Sequence, residues 1–212
     1  MVDLFFSSLI ETLVMVIMAS VMGVLGGVPL GVLLFASTEE ALLKNKSLRA
    51  VSSFLVNALR SVPYLILVIA LLPVTRWLVG TSLGTLAACV PLSVAAILLT
   101  ARVCEEALRV LPKGPLMAAI SMGATRFKMV TKILLPEALP SLVSGITLVI
   151  VNLIGFSAMA GTVGGGGLGD LAIRYGYQRY DTMMILEIVV VLVILVQIVQ
   201  SLGDYWTKRL EK

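Results

Sequence analysis

TLVMVIMASVMGVLGGVPLGVLLFAST, residues 12–38, is a run of 27 residues without a charged side chain, bounded by Glu11 and Glu39. A helix needs about 20 mainly apolar residues to cross the hydrocarbon of a bilayer, so this run is long enough to span it. The same pattern recurs four times. Residues 51–74 form a second span interrupted only by Arg60, and a third covers 78–101. The fourth, 138–162, lies within the 32 uncharged residues between Glu137 and Asp170, and the fifth, 182–203, carries Glu187 as its one charge. The expected fold class is therefore all-α, a polytopic membrane protein with five transmembrane helices in one domain over residues 8–203, followed by a short tail, 204–212.

The composition agrees. Of 212 residues, 59% are hydrophobic and only 13% charged. With the 18 glycines, roughly two-thirds of the chain is apolar, against ~45–50% on the same count in soluble domains. Mean hydropathy is +1.06. A net charge of +4 is too thin for a nucleic-acid surface. With no histidine, His-dependent triads and HExxH zinc sites are excluded. Cys89 and Cys104 are too few for a disulfide framework, and no GxxxxGK[ST] loop is present to bind ATP. The first apolar run has no preceding basic residue and exceeds a signal-peptide core of about 7–15 residues, so it is expected to stay as a membrane helix.

The basic residues give the topology. Lys44, Lys46 and Arg49 sit between the first two spans; Arg102, Arg109, Lys113, Arg126, Lys128 and Lys132 lie in loop 102–136; Lys208, Arg209 and Lys212 lie in the tail. With five spans these twelve of the 16 basic residues fall on one side. The positive-inside bias makes that side cytoplasmic, with the N-terminus outside and the C-terminus in the cytoplasm. A disulfide is not expected for one cysteine in the membrane and another in a reducing compartment.

Within the first run, Ala19, Gly23, Gly27 and Gly31 repeat every four residues and lie in one row along a helix. Such a row admits close approach of another helix, either within the chain or across a subunit interface. Pro29 is expected to loosen the helix. Loop 102–136 contains two prolines and a glycine in Val110–Pro115. Beyond it, the pattern reads as two short helices bent at Gly123, with Phe127, Val130 and Leu134 on one face and Lys128 and Lys132 on another. By its residues alone this is either an interfacial helix or a docking element for a soluble partner.

The spacing AAxxxGA followed by LPEALP, here Ala118, Ala119, Gly123 and Ala124 and then Leu135 to Pro140, resembles the coupling loop of ABC-importer permeases. Members usually carry Glu-Ala-Ala at its start, where this chain has Met117. Arg60-Ser61-Val62-Pro63, Val79 to Gly84, Ser157 to Gly161 through Gly169-Asp170, and Arg174-Tyr175-Gly176-Tyr177 extend the likeness over nearly the whole chain, to the five-helix permease of the methionine-importer family. The resemblance implies that Met117, Ala118, Ala119, Gly123, Ala124, Thr125, Phe127, Leu135 and Pro136 form the loop that enters a groove of a cytoplasmic ATPase subunit. It implies methionine as the solute, the L form with the D form beside it, delivered by an external binding protein or lipoprotein that meets Arg174, Tyr175, Tyr177 and Arg179. ATP and magnesium would sit on the partner ATPase pair, and this chain would bind no cofactor. A permease for another small amino acid or nutrient fits the same motifs.

Gly164, Gly166 and Gly169 satisfy GxGxxG, but the dinucleotide reading needs a preceding strand, and here the motif follows a membrane span. A tight bend at the end of the fourth span is the expectation. Gly155 and Gly161 flank Met159, so the backbone there is expected to break or be closely approached. Ser157, Met159 and Gly161 are the candidate path or gate, with Met159 as a core or lipid-facing side chain the alternative. The tyrosines after the glycines suit an interfacial belt equally well. Arg60 and Glu187 are read as structural charges, and Glu105 and Glu106 as partners of Arg102 and Arg109. Five helices are too few to enclose a solute path, so a homodimer with the path on its two-fold axis is expected. A channel or secondary transporter would need more polar residues along the spans or inverted repeats. An intramembrane enzyme would need a catalytic constellation.

Overall fold

The computed structural model describes residues 2–38, 50, 54, 56–58 and 61–211, and all of their regular structure is helical. The helices are α1 (Val2–Thr38), α2 (Tyr64–Val79), α3 (Thr85–Arg109), α4 (Lys113–Ser121), α5 (Arg126–Met129), α6 (Leu135–Thr162), α7 (Gly167–Leu171) and α8 (Thr182–Leu210). A π-helical turn, Val130–Leu134, joins α5 to α6, and another, Ala172–Tyr177, follows α7. Arg60 and the basic residues Lys44, Lys46 and Arg49 lie outside the described residues.

Among the described residues, four stretches are long and apolar enough to span a membrane: α1, α3, α5 continuous with α6, and α8. The fifth, α2, has 16 residues and measures about 24 Å at 1.5 Å per residue, short of a ~30 Å hydrocarbon core. Of the expected span 51–74, residues 51–53, 55, 59 and 60 lie outside the described residues, while 54 and 56–58 are helical and α2 continues to Val79. Pro63, extended at φ −55° and ψ 136°, precedes its first turn, and Gly80 in the left-handed region ends it by donating its N–H to the Arg76 carbonyl. The third helix accordingly starts at Thr85 rather than 78 and runs on to Arg109, past the expected end at 101.

Two further ends differ from the reading of charges. The first helix begins at Val2, not Thr12. Glu11 ends an uncharged run, but a carboxylate does not end a helix. The last helix continues through Lys208 and Arg209 to Leu210, so most of the expected tail is helical. Pro29 does not break α1 either.

The core forms around α3, which packs against α1, α2 and α6. The small-residue row of α1 faces α3 within the chain. A Cβ placed on Gly23 would meet the Ala96 side chain at 2.8 Å, and one on Gly27 would meet Thr100 Cβ at 2.6 Å. One on Gly31 would lie 2.5 Å from both the Ala101 carbonyl oxygen and Cys104 Cβ. Between the two readings of this row, intrachain packing is the one observed. Both cysteines are buried and free, Cys104 Sγ facing the Val28 carbonyl at 3.6 Å. On the other side of the core, Tyr64 of α2 stacks on Phe156 of α6, ring centroids 4.4 Å apart. By contrast α8 is little buried, with an apolar face open to lipid.

Candidate functional site

At the end of the bundle where α1 and α3 finish, α4 and α5 form an elbow. Gly123 has φ +71°. Its N–H donates to the Ile120 carbonyl and the Ala124 N–H to the Ala119 carbonyl, both at 3.0 Å. This pair of bonds is a Schellman motif, which needs a left-handed residue after the helix and an apolar contact across the turn. Gly123 supplies the first, and buried Ala119 with Ala124 supplies the second. The AAxxxGA spacing is therefore the spacing of a helix stop. Thr125 then starts α5, its hydroxyl accepting the Lys128 N–H at 3.5 Å.

The elbow is held from beneath and bare on top. Leu116, Ala119, Met129 and Leu134 pack on Phe35 and Ala36 of α1, on Cys104, Ala107 and Leu108 of α3, and on Ala138 and Leu142 of α6. Facing outward are Met117, Ile120, Met122 and Phe127, with Met122 at 78% and Phe127 at 77% exposure. Ala118, Thr125, Pro136, Arg126, Lys128 and Lys132 are exposed as well, and Leu135 is half-buried. The expected face of Phe127, Val130 and Leu134 is not formed. The π-helical turn has i→i+5 bonds and more residues per turn than an α-helix, which shifts the α-helical register: Met129 and Leu134 are buried together and Phe127 is at the surface. Met117 stands exposed.

Beneath the elbow, buried Glu105 lies between Arg102 at 2.7 Å and Arg109, and Arg102 Nε also reaches Glu106 at 2.9 Å. These are the local pairs expected at helical spacing, and they fix the last turns of α3 on which the elbow rests.

The glycine run occupies the opposite end. After α6, Gly164, Gly166 and Gly167 take φ of +86°, +78° and +76°, a path closed to most side chains. Three hydrogen bonds bolt the turn to the start of α3 and to α1. Gly84 N–H donates to the Gly164 carbonyl at 2.8 Å, Gly167 N–H to the Glu11 carboxylate at 2.7 Å, and Leu168 N–H to the Thr12 hydroxyl at 2.9 Å. Glu11 and Thr12 were not singled out in the sequence. Their only signal was a charge at the edge of an apolar span.

The candidate gate residues separate in space. Ser157 is 1% exposed and donates to the Ile154 carbonyl at 2.7 Å. Gly161 is buried where α7 crosses α6, with no room for a Cβ beside the backbone of Gly169 and Asp170. Met159 alone is open, at 48% exposure. The helix does not break at Gly155, which is exposed with nothing within 4 Å of an added Cβ. Along α6, Ser141, Ser144, Leu148, Asn152, Gly155, Met159 and Thr162 are exposed at steps of three and four, a stripe richer in polar groups than a lipid-facing surface.

Beyond α7, Arg174 pairs with Asp170 at 2.7 Å and the Arg179 guanidinium lies 4.3 Å over the Tyr175 ring. Tyr175 packs on the Leu168–Leu171 cluster. Tyr177 and Tyr180 stand exposed at 70% and 89%. Asp181 caps α8 by accepting the Met184 N–H. Among the described residues no cluster of metal-ligating side chains occurs.

Residues 23–212 match the family described as binding-protein-dependent transport system inner membrane component. The chain is 49% identical over 209 residues to a Vibrio cholerae protein named probable D-methionine transport system permease protein MetI, covering 99% of this chain and 93% of that one. It is 43% identical over 180 residues to the methionine import system permease protein MetP of Bacillus subtilis, covering 85% and 81%. A solved chain of the MetNI methionine ABC transporter, in an inward-facing conformation, superposes with a TM-score of 0.98 at 41% identity, over 100% of this chain and 98% of that one. An amino acid ABC transporter chain at 20% identity, TM-score 0.81, shares the fold.

Proposed function

This chain belongs to the family of binding-protein-dependent transport system inner membrane components, and we propose that within it the chain is the permease subunit of an ATP-driven methionine importer. The observation that carries this reading is the elbow at Gly123: a rigid apolar patch of Met117, Ile120, Met122 and Phe127, flanked by Arg126, Lys128 and Lys132, at one end of a membrane bundle. An exposed patch of this kind marks a protein partner. Here the partner is a cytoplasmic ATPase subunit, one per permease chain.

The positive-inside bias supports a cytoplasmic position for the basic end, with the glycine run and the N-terminus outside. Two copies pair so that the α6 stripe from Ser141 to Thr162 lines a path on the two-fold axis, with Met159 as the side chain that narrows it. Ser157 and Gly161 hold the end of α6 in place instead of facing the path. Arg174, Tyr175, Tyr177 and Arg179 form part of the surface that receives an external binding protein loaded with L- or D-methionine. ATP and magnesium are held by the ATPase pair, whose closure on ATP is a rigid-body movement. Met117, Ala118, Ala119, Gly123, Ala124, Thr125, Phe127, Leu135 and Pro136 transmit it. The Schellman bonds and the buried underside make the elbow stiff enough to act as a lever on α3 and α6.

Gly123→Asp tests the docking face apart from the fold. An added Cβ at Gly123 has open space, and aspartate is among the residues that tolerate the left-handed region. The variant should insert and melt like the wild type but fail to copurify with its ATPase. Copurification at the wild-type ratio would refute the docking assignment.

A further inference from the structure

Beside the glycine run, the first turns of α1 and α8 leave a groove of about 750 Å³, a volume within the usual range for ligand sites. Phe5 and Phe6 line it from α1, Leu186 and Val190 from α8, and Asp181 and Glu187 are part of its wall. Phe6, Leu186 and Val190 are each more than half exposed. Asp181 spends one oxygen on the α8 cap. Glu187 is exposed and has no hydrogen bond or ion pair among the described residues.

An ionisable side chain on a membrane helix is costly unless it is paired, and none of the described residues pairs with Glu187. Arg174 is held by Asp170 and Arg179 lies on Tyr175. Both arginines beside the groove are thus engaged, and Glu187 is open to a cation from outside. The groove also has a polarity gradient. Asp181 stands at the helix start, Glu187 lies about 7.5 Å further along α8 from Thr182 and Val190 about 12 Å, so charge gives way to apolar wall with depth. An amphiphile with a cationic head and a hydrocarbon tail has the same gradient. A metal ion would need more converging oxygens than these, and an anionic lipid would be repelled.

We propose that this groove binds one phospholipid with a primary-ammonium headgroup, the ammonium on Glu187 and an acyl chain along Phe6, Leu186 and Val190. The site rests only on the chain spanning a membrane, so its failure would leave the transport assignment untouched.

The full-length permease, purified and exchanged into equimolar phosphatidylethanolamine and phosphatidylglycerol, is examined by native mass spectrometry. Phosphatidylethanolamine should be retained over phosphatidylglycerol. Glu187→Gln should lower that preference roughly tenfold, the equivalent of one charge-assisted hydrogen bond. A second comparison needs no variant: N-acetylated phosphatidylethanolamine, with the same chains and no cation, should be retained no better than phosphatidylglycerol. Equal retention of the acetylated lipid, or an undiminished preference in a well-folded Glu187→Gln, would overturn the proposal. So would a photocrosslinker at Phe6 that captures a second copy or the binding protein in place of lipid.

Discussion

Gly31→Ala is the sharpest test of how the bundle is held together. In the interior of an exposed helix, replacing glycine by alanine stabilises by about 0.5–1 kcal/mol, because less backbone freedom is lost on folding. Gly155 meets that condition: it is helical and exposed with open space around an added Cβ. Gly31 does not. Its new Cβ would lie 2.5 Å from the Ala101 carbonyl oxygen and 2.5 Å from Cys104 Cβ, where carbon contacts settle near 3.5–4.0 Å. Neither neighbour is the end of a flexible side chain, so α1 must withdraw from α3 by roughly 1 Å. Overpacking of this kind costs about 1–3 kcal/mol. The two variants should therefore differ by about 1.5–4 kcal/mol, with Gly31→Ala the weaker. At about 2–4 °C per kcal/mol for a chain of this size, the melting temperatures should separate by roughly 3–16 °C. Buried Cys89 and Cys104 supply the assay: a dye that fluoresces on reaction with thiols reports their exposure during a thermal ramp in detergent. If Gly31→Ala melts together with Gly155→Ala, the close α1–α3 contact is not what holds the two helices.

Three other outcomes follow from named contacts. Glu11→Ala removes the charged acceptor of the Gly167 N–H, worth about 1.5–3 kcal/mol, so hydrogen exchange at Gly167–Leu171 should quicken by an order of magnitude or more; unchanged exchange would contradict the role given to Glu11. Glu105→Gln strips the buried carboxylate from Arg102 and Arg109. Because those arginines are partly exposed, the loss should be about 1–3 kcal/mol rather than the larger cost of a fully buried pair, read as a lower thiol-dye melting temperature, and a variant as stable as wild type would count against the network. Met159→Ala should raise solute leak or uncouple ATP hydrolysis from uptake in proteoliposomes, and unchanged leak and coupling would remove Met159 from the path.

Much of this architecture could be read from residue types alone, for physical reasons that also explain what could not. Uncharged runs report where lipid is tolerated, and the rows of small residues report close helix contacts; hence the α1–α3 seam was visible, though not whether it lay within one chain. The bend at Gly123 was legible because a Schellman stop leaves a fixed spacing of alanine and glycine. Helix ends were less legible. Glu11 and Lys208 terminate an apolar count without terminating a helix, and the true boundaries at Pro63 and Gly80 are set by backbone dihedrals inside apolar sequence. The π-helical turn Val130–Leu134 changed which residues share a face, so Phe127 was placed inward from its α-helical period and is found outside. The separation of Met159 from Ser157 and Gly161 depends on where α7 returns against α6. That return is directed by bonds to Glu11 and Thr12, more than 150 residues earlier, and no local pattern reports it.

The central claim is that this chain moves methionine only when an ATPase grips the elbow at Gly123. Uptake of radiolabelled methionine into proteoliposomes containing the permease, its ATPase and the loaded binding protein measures it directly. The account predicts uptake that requires ATP and the ATPase and is lost in Gly123→Asp. Uptake by the permease alone, or full ATP-driven uptake by Gly123→Asp, would contradict it.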